Sequence, residues 1–119
     1  MDTQVGGEAG SALMLTTAND IDSARAAAAI RANKIPWFDL SHRALRRELW
    51  DLADKLDEAS IRLRQGSGMA PLLLSPQESE AAIKAMSWTV ERFDFDPDGS
   101  TGDIRRLLNS LRPRLRSVA

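Results

Sequence analysis

Asp94, Asp96 and Asp98 fall on alternate positions, with Gly99 directly after them and a helix-forming run beyond. Carboxylates at that spacing, followed by a glycine that turns the chain sharply, are the first half of an oxygen-ligand set for a hard cation such as calcium. The second half is a carboxylate at the twelfth position that supplies two oxygens. Counted from Asp94 that position is Arg105, a cation, and Thr101 stands where an aliphatic residue usually pairs the loop.

Asp94, Asp96, Asp98 and Gly99 resemble the EF-hand calcium loop over that first half alone, which would imply a weak calcium-binding helix-loop-helix. Turn and cap chemistry accounts for the same letters. Asp96-Pro97-Asp98-Gly99 is a turn sequence, Ser100 or Thr101 can cap a helix, and Asp103 suits the positive end of that helix's dipole. The expectation is a cap, with no metal ligands assigned and no cofactor.

Other chemistry is scarce. The chain has no cysteine and one histidine, His42, which removes disulfides, thiolate sites and cysteine nucleophiles and argues against a zinc centre. Ser41 and His42 are adjacent, and neighbours on a helix point in different directions, so they are not expected to form a nucleophile and base pair. Asp51, Asp54 and Glu58 share a helical face, but Arg47, Lys55 and Arg62 are close enough to pair with them. That reads as a solvated charged stripe, and no catalytic residue is assigned.

Binding residues are better represented. Trp50 falls roughly 140° from the leucine stripe of its own helix, and Trp88 lies roughly opposite the apolar face of its helix. Each is either a second packing layer or a partner surface, since tryptophan beside arginine is the composition of binding hot spots. The candidate partner-binding set is Trp50, Trp88, Arg46, Arg47 and Ile61. Arg105, Arg106, Arg112, Arg114 and Arg116 make a basic C-terminus, which suits phosphate or an acidic protein, or is simply a solvated helix end.

The elements that must position these groups follow from periodicity. A first helix is expected from Asn19 or Asp20 to Asn33, with a small face of Ile21, Ala24, Ala28 and Ala32. A second, from about residue 40 to 65, carries Leu45, Leu49, Leu52, Leu56, Ala59 and Leu63 on one stripe. Asp39 or Ser41 caps it, the glycines after Gln65 stop it, and Trp37 and Phe38 staple its start to the core.

Ser75, Pro76 and Glu78 spell the start of a third helix, with Ile83, Met86, Val90 and Phe93 inward. A fourth carries Ile104, Leu107, Leu108 and Leu111 and stops at Pro113. No segment alternates as a sheet strand does. Residues 1–18, rich in Gly, Ser, Thr and Ala, are expected to be a flexible arm whose Leu13-Met14-Leu15 cluster can dock, ahead of a helical domain over 19–119.

The fold class is therefore all-α, a single domain of about four helices. At 119 residues, folding buries roughly two thirds of the unfolded chain's surface, enough for one core. A net charge of -1 argues against a surface devoted to polyanions. The opening residues lack the basic and apolar regions of a secretion signal, and no segment could span a membrane, so a cytoplasmic location is expected.

Residues 24–52, ARAAAAIRANKIPWFDLSHRALRRELWDL, resemble the helix, Ile-Pro turn and basic segment of small excisionase-type DNA-binding proteins. The likeness covers under a third of the chain and lacks that family's first helix and usual glycine. The function expected from the residues is a non-enzymatic interaction module, an adaptor, inhibitor or regulatory subunit, that binds another protein or itself through helix faces. A nucleic-acid-binding regulator using the basic helix and C-terminal arginines is the alternative.

Overall fold

Alanine supplies the centre of this molecule. In the computed structural model, which describes residues 11–66, 72–93, 100–111 and 115–117, helix α1 (Ala18–Asn33) buries Ile21, Ala24, Ala27, Ala28 and Ala32. Methyl side chains let neighbouring backbones approach closely. α1 accordingly packs against all three other helices, α2 (Arg43–Arg64), α3 (Pro76–Arg92) and α4 (Ser100–Asn109). The expected small all-α bundle of four helices is the observed fold.

Capping agrees with the sequence at α3 and departs from it at α1. Ser75 accepts from the Glu78 N–H while the Glu78 carboxylate accepts from the Ser75 N–H, a complete capping box with Pro76 in the first turn. α1 is capped by Thr17, whose hydroxyl accepts from the Asp20 N–H at 3.0 Å, so the helix starts earlier than Asn19 or Asp20 would have it. A short 3-10 turn, Leu40–His42, capped by Asp39, leads into α2. α2 ends at Gly66, whose φ of 73° is a left-handed conformation that glycine adopts without steric cost.

The inward faces largely match. Leu49, Leu52 and Leu56 are buried on α2, with Leu45, Ala59 and Leu63 half-buried at the ends of the stripe. Ile104 and Leu107 are buried on α4, with Leu108 and Leu111 against the core. α3 is rotated from expectation. Ala81, Ala82, Ala85, Met86 and Thr89 are buried, while Ile83, Val90 and Phe93 are only half-buried. Alanines on the buried face allow a closer approach of neighbouring elements than an Ile and Val face would.

Strands correct the N-terminal reading. Residues 1–10 of the expected arm lie outside the described residues, but Ser11–Leu15 form strand β1, with Ala12, Leu13 and Leu15 almost wholly buried. β1 is the centre of a small antiparallel sheet, flanked by β2 (Leu72–Leu73) and β3 (Leu115–Ser117). Met14 faces Leu73 on one side and Ala12 faces Arg116 on the other. The Leu13 N–H donates to Ser79 Oγ at 2.7 Å, which ties the strand to the start of α3. A strand enclosed on both faces shows a continuous apolar run, which is why alternation did not reveal it.

Candidate functional site

Both α2 and α3 pack on α1, yet they touch each other little and leave a cleft between them. Its wider part, about 740 Å³, is lined by Leu40, Ala44, Leu52 and Ala81 with Arg43, Arg47, Glu48, Asp51, Gln77 and Glu78 at its walls. A second part of about 260 Å³ shares Glu48, Gln77 and Ala81 with the first and runs on past Leu45, Leu49 and Ala85 to Trp88. The floor is thus aliphatic and the rim charged. Two polar contacts bridge the rim: Lys55 Nζ donates to both Glu78 oxygens at 2.8 and 2.9 Å, and Gln77 Nε2 donates to Glu48 at 3.4 Å.

Glu78 therefore serves helix and cleft at once. Partial burial acts to raise its pKa, but the Lys55 bond and charge and the Ser75 contacts prevail and hold the carboxyl below its ordinary value.

The expected partner-binding residues divide over the molecule. Trp88 and Arg47 line the cleft. Trp88 is half-buried between two guanidiniums, Arg31 at 4.7 Å and Arg92 at 4.6 Å from its ring centre, and meets the Phe93 ring edge-on at 6.3 Å. Lys34 stands over Phe93, so three cations gather on two aromatic rings where α1 and α3 end. Trp50 lines neither part of the cleft and is half-buried against the core. Arg46, one turn earlier, is half-buried too, and its Nε has no hydrogen-bond partner among the described residues. Ile61 is 49% exposed near the far end of α2.

The basic C-terminal set is dispersed. Arg105 and Arg106 are exposed on α4, with Arg106 bonded to Asp103, and Arg116 sits on β3 opposite Ala12. Arg112 and Arg114, like Asp94, Asp96, Asp98 and Gly99, lie outside the described residues. Among the described residues no group of three or more potential metal-ligating side chains comes together, and no helix is long and apolar enough to cross a membrane.

One expectation is overturned. Trp37 and Phe38 do not staple α2 to the core: they are 80% and 66% exposed, stacked edge-to-face at 5.6 Å, and Leu40 beside them is 74% exposed. Ile35 takes the buried position instead, and the Asp39 N–H to Pro36 carbonyl bond turns the aromatic pair outward. Sequence offered no signal for this choice, because either Ile35 or the aromatic pair satisfies the same apolar pattern.

Ser41 and His42 do meet, at 3.1 Å, with Asp39 at 2.8 Å from the same histidine nitrogen. The 3-10 turn, tighter than an α-helix, permits that contact. The arrangement still differs from a catalytic triad, in which serine and aspartate engage opposite ring nitrogens. Here both face Nδ1, and the Ser41 hydroxyl donates to Asp39 at 2.7 Å. Those bonds, Ser41's first and then His42's, lower the Asp39 pKa, and the exposed cluster serves to cap the turn.

Of the charged stripe, Glu58 pairs with Arg62 at 3.0 Å as expected, whereas Lys55 turns to Glu78. Arg43, Arg47, Asp51 and Asp54 show no ion pair or hydrogen bond among the described residues. Comparison of the chain with protein-family models, with curated proteins and with solved structures finds no match.

Proposed function

We propose that this protein is a non-enzymatic interaction module that holds a protein partner, another chain or a second copy of itself, on the face formed by α2 and α3. One observation carries the reading: Trp37, Phe38 and Leu40 are presented to solvent beside an open cleft with an aliphatic floor. Exposed aromatic groups next to a concave apolar surface with arginines on its wall are what a partner's apolar side chains require. Trp88, fixed between Arg31 and Arg92, supplies a rigid aromatic end to the same cleft.

A quantitative pull-down from the native host tests the proposal. Wild-type bait is expected to retain a stoichiometric protein partner that W37A/F38A and W88A baits lose, with the melting temperature of W37A/F38A within a few degrees of wild type. Equal capture by all three baits would reject the cleft. Arg31, Lys34 and Arg92 gathered around Trp88 and Phe93 favour a second reading, an anionic ligand such as nucleic acid. Salt separates the two: binding through several phosphates weakens steeply with ionic strength, and an apolar interface does not.

A further inference from the structure

We infer that the occupant of the outer α2 face is a second copy of this chain, lying antiparallel to the first about a two-fold axis between Arg47 and Asp51. This rests on the interaction-module reading and names its partner.

Charge order along α2 is the first ground. The helix is 22 residues long, and its outward stripe carries Arg43 and Arg47 in the first half and Asp51 and Asp54 in the second. All four lack a salt-bridge partner among the described residues, although Arg47 and Asp51 are one turn apart. The arginines occupy the end of the helix where the dipole disfavours cations, and the first turn contains no acid. A partner helix running the other way brings Asp51 to Arg47 and Asp54 to Arg43, and by symmetry does so twice. A parallel partner would set like charges side by side.

The apolar surface obeys the same register. With Arg47 opposite Asp51, Ile61 of each chain extends past Arg43 of the other, toward the turn that carries Trp37 and Phe38. These three belong with Leu40 and Leu73 to the exposed large hydrophobic residues among those described. One pairing thus covers exposed apolar groups at both ends and four unpaired charges in the middle. Tryptophan and phenylalanine carry roughly 150–250 Å² each, so two Trp37–Phe38 pairs bring on the order of 600 Å² before the helix contact is added. A stable interface of standard size buries about 1,600 Å² in all, which the aromatic pairs and a helix-length contact together approach.

Sedimentation of the full chain from micromolar to near-millimolar concentration tests this. The wild type is expected to be a dimer, and R43E/R47E and D51R/D54R are each expected to be monomers with unchanged circular dichroism and a dissociation constant at least ten-fold weaker. Mixing the two variants should restore a 1:1 dimer, because every pair is again opposite in charge. A wild type that stays monomeric across the range overturns the inference, and so does a dimer that both charge variants keep. A monomer that still captures a host protein through the cleft defeats the self-association and leaves the interaction reading standing. A dimer rescued by mixing that captures nothing upholds the self-association and rejects a separate partner.

Discussion

Glu78 shows how much one side chain carries in a small bundle. Its carboxylate caps α3 and receives Lys55 from α2, and those contacts hold its pKa below the ordinary value of 4.5. A group whose pKa is lower folded than unfolded stabilises the fold above its unfolded pKa and ceases to do so as pH falls through the folded value. Glu78→Gln is therefore expected to lower stability at pH 7 by about 1 kcal/mol or less, since the Lys55 pair is partly exposed and screened. The difference from wild type should vanish in urea unfolding well below pH 4.5, and a difference that persists there would place the effect in packing. Ser79 is a sharper case, because its hydroxyl accepts from the buried Leu13 N–H and itself donates to the Ser75 carbonyl at 2.7 Å. Ser79→Ala orphans that N–H and should cost about 1–3 kcal/mol, read as a lowered urea midpoint.

Strand β1 is the element whose removal tells most about the fold. It pairs with β2 and β3 and donates from the Leu13 N–H to Ser79 Oγ on α3, and Leu13 is fully enclosed. Leu13→Ala is expected to cost about 2–5 kcal/mol, the range for a leucine truncated in a closed core, whereas truncation on a mobile arm would cost nothing measurable. Equilibrium unfolding distinguishes the two. The helices were legible because their determinants are local: the Ser75-Pro76-Glu78 cap and the four-and-three spacing of leucines on α2 depend on neighbours within one or two turns. β1 was not, since its partners Leu73 and Leu115 lie far along the chain and its flanks in sequence are glycine-rich on one side and threonine on the other. The candidate site was legible in part for the same reason. Trp88 stood out as lying off the apolar face of its helix and Arg47 as an arginine near Trp50, but a cleft arises from how two helices diverge on a third, and the outward turn of Trp37 and Phe38 from which apolar group reaches the core first.

For the whole molecule, the dependence of every other helix on α1 makes the bundle a single cooperative unit and lets α1 set the width of the cleft. α2 is tied to α1 by the Asp22 carboxylate, which accepts from Ser60 Oγ at 2.7 Å and from Arg64, and all three helices pack against an α1 whose buried face is largely alanine. Ala28 is fully buried there, so Ala28→Leu must displace at least one neighbouring helix. The expected cost is about 1–3 kcal/mol, with larger values if no helix can shift. Because α1 packs against each of the other helices, the loss should appear at one denaturant concentration whether helix content is followed by circular dichroism or the surroundings of Trp50 and Trp88 by fluorescence. Two separated transitions would mean that α2 or α3 keeps its structure without α1. In that case the cleft would be held by contacts such as Lys55–Glu78 and not by the alanine packing beneath it.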